Sequence, residues 1–412
     1  MPDKITSKVM SSQLIKKNYE DAITAKERGQ LVAWSASVAP PEFFETMGIH
    51  VLYPENHAAA LGAKHGAPPL LERAEKMGYS IDICSYARTN MGYLEAMDCN
   101  FENIPLPDVM ISCNNICNTV TKWYENIAKE KGIPLIMLDM PFNYESEVSQ
   151  HRIDYVKAQF EEMIIRLEQI SRKRFDYDRL AEVMQIANKG ALAWQRALNY
   201  AQHIPSPFNG FNIFNYMALI VCMRAKQESI DFFDLVAAEA EELVRNKASQ
   251  YSVEEKYRVL WEGIACWPYL NQTYEILKKH GINIVASVYT EAWALIYEEC
   301  TLEALAKAYC GLLLNRNLEA QVTKRQQLLN DFHCDGAIYH MNRSCKIMDF
   351  MQYEMQRRLH GASGIPYVLF DGDQTDPRNF AAAQFATRIQ ALTEMMEANK
   401  QTRPGREKNG AR

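Results

Sequence analysis

At 412 residues, with 48% hydrophobic and 23% charged side chains, the chain is too long for one ordinary core, and two or three domains are expected. A formal net charge of −6, with no long Lys/Arg block in the body, argues against nucleic acid as the main partner. No apolar run reaches the ~18–20 residues that cross a bilayer and the first residues lack the apolar core of a secretory signal, so a cytoplasmic protein is expected, in which ten cysteines are not a disulfide framework.

A polar helix over about 11–27 leads into a strand at 31–35. Pro40-Pro41 opens a short helix that ends at Gly48, before a strand at 49–53. Residues 58–77 are helical in character, interrupted by Pro68-Pro69. Residues 79–84 are short and strand-like and end on Cys84, and 93–97 continue as helix. Asp108-Val-Met-Ile-Ser-Cys113-Asn-Asn-Ile-Cys117, a helical run, and Gly132-Ile-Pro-Leu-Ile-Met-Leu-Asp139 then read as a βαβ unit.

The character changes over about 145–252. Ile153, Val156, Phe160, Met163, Leu167 and Ile170 form a helical stripe, a second helix follows over about 177–201, and breakers cluster at 203–210. Two more helices are expected around 212–226 and 229–247, whose Met and aromatic residues are read as core packing. The strand–helix alternation resumes at Arg258-Val-Leu-Trp261, which parallels 31–34. Asp335-Gly-Ala-Ile-Tyr-His340-Met-Asn-Arg-Ser-Cys345, a helical run and Gly364-Ile-Pro-Tyr-Val-Leu-Phe-Asp371 repeat the plan of the first βαβ unit.

The expected architecture is therefore α/β: two similar doubly wound parallel-sheet lobes, related by internal duplication, with an all-helical insert. The boundaries are 1–144 for the first lobe, 145–252 for the helical domain and 253–398 for the second lobe. Residues 399–412 are basic, contain Pro404, Gly405 and Gly410, and are expected to form a disordered tail.

Such units place whatever follows a strand at the carboxyl edge of the sheet, where ligands bind. Cys84, Cys117 and Cys345 all fall at such ends. None belongs to a Cys-x-x-Cys pair, and a buried structural cysteine is the plain alternative for each. Three sheet-edge thiols converging across a cleft would suit an iron–sulfur cluster, normally held by four; with three, one iron stays open as a Lewis-acid site. Cys113 and Cys222 read as core, and Cys99, Cys266, Cys300, Cys310 and Cys334 as packing or surface. Ser37 and Glu55 follow the first two strands and could point into the same cleft, although alone they read as a helix cap and a solvated loop residue. The Gly-x-Ser-x-Gly, Walker and Gly-x-Gly-x-x-Gly motifs are absent, and no His pair stands four residues apart, so hydrolase, kinase and nicotinamide readings lack their signatures.

Trp34-Ser-Ala-Ser37, Leu52-Tyr-Pro-Glu-Asn56, Tyr79-Ser-Ile-Asp-Ile-Cys84-Ser-Tyr-Ala-Arg88, Cys113-Asn-Asn-Ile-Cys117, His340-Met-Asn-Arg-Ser-Cys345 and Phe370-Asp-Gly-Asp-Gln-Thr-Asp-Pro377 resemble the larger, cluster-bearing subunit of the radical 2-hydroxyacyl-CoA dehydratases. The resemblance spans about 11–397 and is nearest to enzymes of the lactoyl-, 2-hydroxyisocaproyl- and phenyllactoyl-CoA type. It implies that Cys84, Cys117 and Cys345 hold a [4Fe-4S] cluster with one open iron site, with Ser37 and Glu55 beside it as catalytic residues. It also implies a smaller homologous cluster-bearing partner, in a heterodimer or dimer of heterodimers, and an ATP-dependent iron–sulfur activator. The implied activity is anaerobic dehydration of a 2-hydroxyacyl-CoA.

Competing readings are an electron-transfer subunit with a closed cluster, a subunit of an ATP-dependent aryl-CoA reductase, and a metal-free two-lobed protein that binds a small ligand.

Overall fold

The computed structural model describes residues 5–402. Two four-stranded sheets organise it, both entirely parallel. The first runs in the order β2-β1-β3-β4, with β1 Val32–Ser35, β2 His50–Leu52, β3 Val109–Cys113 and β4 Leu135–Leu138. The second repeats that order as β6-β5-β7-β8, with β5 Tyr257–Glu262, β6 Ile282–Ser287, β7 Gly336–Asn342 and β8 Tyr367–Gly372. Parallel neighbours need crossover helices, which cover both faces of each sheet and account for the continuous apolar strands. Every residue of β1, β3, β5 and β6 is buried.

The two βαβ units share details below the level of topology. The amide of Asp108 donates to the Val32 carbonyl at 2.7 Å, and its carboxylate accepts from the Val32 amide at 2.9 Å. Asp335 makes the same pair of bonds to Arg258, at 2.7 and 2.9 Å. The intervening helices, Asn118–Lys131 and Lys346–Ser363, end on Gly132 (φ 65°) and Gly364 (φ 63°). A left-handed residue is required there to turn the chain into the next strand, and glycine supplies it without a Cβ clash.

Three expectations need correction. Residues 79–83 are not a strand. The Ile83 amide returns to the Ser80 carbonyl and the Asp82 amide to Ser80 Oγ, so local turn bonds displace sheet bonds, and Ile81 is 60% exposed with no sheet face to bury it. Cys84 is consequently the N-cap of helix Ser85–Ala96, which begins well before residue 93. Pro68 and Pro69 do not interrupt one helix: they lie in the first turn of a separate helix, Ala67–Lys76, where a missing N–H costs nothing. At the far end, helix Ala382–Thr402 continues past residue 398; the rest of the expected tail, 403–412, lies outside the described residues.

Between the sheets in sequence lie helices Gln150–Ser171, Tyr177–Asn199, Gly210–Cys222 and Gln227–Arg245, with the predicted stripe Ile153, Val156, Phe160, Met163 and Leu167 turned inward. They pack against both lobes. Gly210 lies so close to β6 that an added Cβ would stand 2.3 Å from the Ile284 carbonyl oxygen. Glu42, fully buried, accepts from Arg224 of the helical segment at 2.9 Å and from Tyr309 of the second lobe at 2.8 Å. Removing one partner of such a buried pair strands the other charge. Arg224→Met is therefore expected to lower unfolding stability by about 3–5 kcal/mol, measured by denaturant titration. Among the described residues, no helix is long and apolar enough to cross a membrane.

Candidate functional site

The carboxyl ends of the two sheets open onto one cavity of about 540 Å³, within the range of small-molecule sites. Ser37, Glu55, Cys84, Cys117 and Cys345 all line it. The structure thus brings together the five residues singled out in the sequence, from both lobes. Cys113 closes β3 and is fully buried, and Cys222, Cys266, Cys310 and Cys334 are also buried away from the cavity lining.

Each of the three lining cysteines is the N-cap of a helix: Cys84 of Ser85–Ala96, Cys117 of Asn118–Lys131 and Cys345 of Lys346–Ser363. Helix N-termini point unpaired N–H groups and a positive dipole end at the cap, which favours a thiolate. Burial opposes this. Cys84 is pushed up to about 12 by desolvation, against the Ala87 and Tyr86 amides that pull it down; Cys117 is raised by burial against the Val120 and Thr119 amides. Cys345 is raised well above its ordinary value by burial and by the charges of Cys84 and Cys117, so the three sulfurs sense one another. As free thiols they keep their protons. A cationic group between them would reverse that balance, because a coordinated thiol is deprotonated outright.

Among the described residues, no three His, Cys, Asp or Glu side chains are grouped to hold a single metal ion. A cubane iron–sulfur cluster makes a different demand, since each thiolate binds a different iron and the sulfurs stand across its width. Three N-capping thiols on one cavity fit that donor set.

The Cys84 turn is clasped by the second lobe. Gln374 Nε2 donates to Cys84 Sγ at 3.2 Å, Ser344 Oγ donates to Gln374 Oε1 at 3.2 Å, and the Ser85 amide donates to Ser344 Oγ at 3.0 Å. Ser85 Oγ also donates to Asp373. One turn on, the buried Arg88 guanidinium reaches Asp376 at 3.1 Å, Glu75 at 2.7 Å and the Ile83 carbonyl at 3.0 Å.

Glu55 sits in the first turn of helix Pro54–Ala63, behind Tyr53 and Pro54. One carboxylate oxygen accepts the Ser37 backbone N–H at 3.0 Å and the other the Tyr124 hydroxyl at 3.1 Å. Burial raises its pKa; the Ser37 amide, its own amide, the Tyr124 hydroxyl and the Ser37 side chain pull it back down, and a raised value results. The raised value makes its carboxylate a stronger base than an exposed glutamate, which suits it to taking up a proton.

Sequence reasoning missed Tyr124, which stands two helical turns after Cys117 and had only that seven-residue spacing to betray it. It also missed a wall made by both lobes, in which Trp267 Nε1 donates to Tyr86 Oη at 2.6 Å beside Tyr289. No spacing rule links these three. Gln374 lies inside the quoted 370–377 segment, although nothing in the sequence pointed it at Cys84.

Fold and cavity together define a class: two-sheet α/β proteins whose cleft takes thiols from both lobes and a buried carboxylate from one. The chain belongs to the family described as 2-hydroxyglutaryl-CoA dehydratase, D-component, whose model matches residues 36–396. It is 50% identical to the (R)-2-hydroxyisocaproyl-CoA dehydratase alpha subunit of Clostridioides difficile, over 98% of this chain and 100% of that one. It is 47% identical to the (R)-phenyllactyl-CoA dehydratase alpha subunit of Clostridium sporogenes, over 92% and 93%, and 43% identical to the lactoyl-CoA dehydratase subunit alpha of Anaerotignum propionicum, over 92% and 94%.

Proposed function

We propose that the chain is the cluster-bearing catalytic subunit of a cytoplasmic 2-hydroxyacyl-CoA dehydratase, a hydro-lyase that converts an (R)-2-hydroxyacyl-CoA to the 2-enoyl-CoA. The observation that carries the reading is the convergence of Cys84, Cys117, Cys345 and Glu55 on one cavity. The names of the relatives support the substrate class and an alpha subunit's need for a partner. The partners in this reading are a smaller homologous cluster-bearing subunit and an ATP-dependent iron–sulfur activator. Residues 1–144 and 253–398 would then be lobes of one duplicated unit and 145–252 the insert.

The chemical problem is that the proton to be lost is on C3, β to the thioester carbonyl, and the hydroxyl leaves from C2. A [4Fe-4S] cluster held by Cys84, Cys117 and Cys345, when bound, supplies a Lewis-acidic open iron for a substrate oxygen. One electron, delivered by the activator, turns the thioester carbonyl into a ketyl radical anion, which expels the 2-hydroxyl as hydroxide. The resulting enoxy radical acidifies C3–H, and the Glu55 carboxylate takes that proton. The allylic ketyl gives up its electron, leaving the 2-enoyl-CoA; hydroxide and proton together account for the water lost. The electron is recovered each cycle. Ser37 orients Glu55 through its backbone N–H, and in this reading its hydroxyl binds a substrate oxygen. Apolar side chains such as Phe214, Trp293 and Leu312 line the rest of the cavity and keep water from the radical.

An anaerobic assay with partner subunit, activator, ATP and a panel of 2-hydroxyacyl-CoA thioesters is expected to yield 2-enoyl-CoA from at least one of them. Electron transfer through the chain with no product from any thioester would instead favour the electron-carrier reading.

A further inference from the structure

The cavity has two chemically different ends. Inside are the three thiols, Ser37 and Glu55. At the other end helix Ser7–Glu27 contributes one face, Lys8, Ser11, Ser12, Ile15 and Lys16, with the spacing that puts side chains on adjacent turns of the same side. Lys64, the C-cap of the Glu55 helix, lines the cavity too. All three lysines are exposed. Lys16 pairs with Glu20 at 3.2 Å on the solvent side, whereas Lys8 and Lys64 make no ion pair among the described residues. The acids that line the cavity are Glu102 and, deep inside, Glu55.

We infer that Lys8, Lys16 and Lys64 form the phosphate-binding rim of the cavity and receive the diphosphate and 3′-phosphate of coenzyme A. The inference rests on the acyl-CoA reading and extends it, by assigning the nucleotide end of the substrate. A coenzyme A thioester has an apolar acyl end, a long neutral pantetheine arm and a polyanionic terminus. The lining offers the complementary set: the thiols and a carboxyl, apolar walls such as Phe214 and Trp293, and exposed lysines. Lysine ammonium groups on flexible stems act as point charges for phosphate, and their attraction reaches beyond contact at low salt. The rim would also set the direction of entry, because a substrate held by its phosphates presents its thioester inward.

The test compares the complete chain with its Lys8→Ala/Lys16→Ala/Lys64→Ala variant by calorimetric binding of free coenzyme A and of pantetheine, which lacks every phosphate. With three charge pairs lost at an exposed rim, coenzyme A binding is expected to weaken about tenfold or more, with pantetheine binding moving far less. Salt should weaken coenzyme A binding to the wild type more steeply than to the variant. In the assembled enzyme, KM for the acyl-CoA should rise while KM for the acyl-pantetheine does not follow; Lys400→Ala, remote from the cavity lining, should change neither. Equal coenzyme A affinity in wild type and variant, or an equal loss for both ligands, would overturn the assignment. The dehydratase reading fails separately: a wild type that binds coenzyme A through these lysines but dehydrates no 2-hydroxyacyl thioester would sink the reaction and leave the rim standing.

Discussion

Serine in place of Cys84, Cys117 or Cys345 is expected to strip or destabilise the cluster and to abolish dehydration, while Cys222→Ser leaves iron content unchanged. Each of the three thiols caps a helix at the cavity, and Cys84 and Cys345 both feel the charge of Cys117. Cys222 sits buried at the end of the apolar helix Gly210–Cys222 and lacks a place in the lining. A hydroxyl is a harder, far less acidic donor than a thiol, so serine does not replace thiolate at iron. Anaerobic iron and sulfide analysis of the purified chain, with its electron paramagnetic resonance signal after reduction, reads the result without any turnover. Normal iron in all three serine variants would sink the assignment. Gln374→Ala makes a graded comparison: it removes an N–H donor to Cys84 Sγ while leaving the ligand, so it is expected to keep the iron and to shift the reduction potential.

The parts of this site that were legible in the sequence are those that follow a strand. Asp108 to Asp139 and Asp335 to Asp371 announce themselves because apolar runs, a glycine cap and an Ile-Pro restart recur in order, and position after a parallel strand already means the ligand edge. Ser37, Glu55, Cys117 and Cys345 could be placed on that logic alone. Cys84 does line the cavity, but for a different local reason from the one its sequence suggested. The alternation Tyr79-Ser-Ile-Asp-Ile suggested a strand, but Ser80 closes a turn with its own neighbours, and the thiol arrives as a helix cap instead. What stayed hidden are contacts between elements distant in sequence. Tyr124 with Glu55, Gln374 with Cys84 and Arg88 with Asp376 depend on how helices and lobes pack, and no periodicity within one segment encodes them.

Glu55→Gln is expected to lower turnover by roughly 10²-fold or more with the cluster and the partner subunit retained, the usual scale for loss of a positioned base. Glutamine keeps the shape: its Oε1 can still accept from the Ser37 N–H, while its amide NH2 donates to the Tyr124 oxygen in place of accepting from it, so the titrating carboxylate is removed with little change of packing. Ser37→Ala should cost less, because the backbone N–H that Glu55 accepts survives and only the hydroxyl is lost. The pH dependence separates a base from a structural carboxylate. Burial holds Glu55 above its ordinary 4.5, and its charge in turn raises the neighbouring Cys113 of β3, Cys117, Tyr124, Cys222 and Tyr289, which are neutral where a carboxyl titrates. Since the carboxylate is the working form, kcat/KM should fall as pH drops through that raised value. Tyr124→Phe removes a donor that favours the charged form, so it should carry the acid limb to higher pH; in Glu55→Gln this limb should vanish. Stability moves the other way. A carboxyl whose folded pKa is raised favours the native state at low pH, and that contribution is lost as pH rises through the folded value. The Gln variant should therefore unfold at a relatively higher temperature as pH increases, even as it loses activity. An unchanged acid limb in Tyr124→Phe, together with full turnover in Glu55→Gln, would remove Glu55 from the proton path.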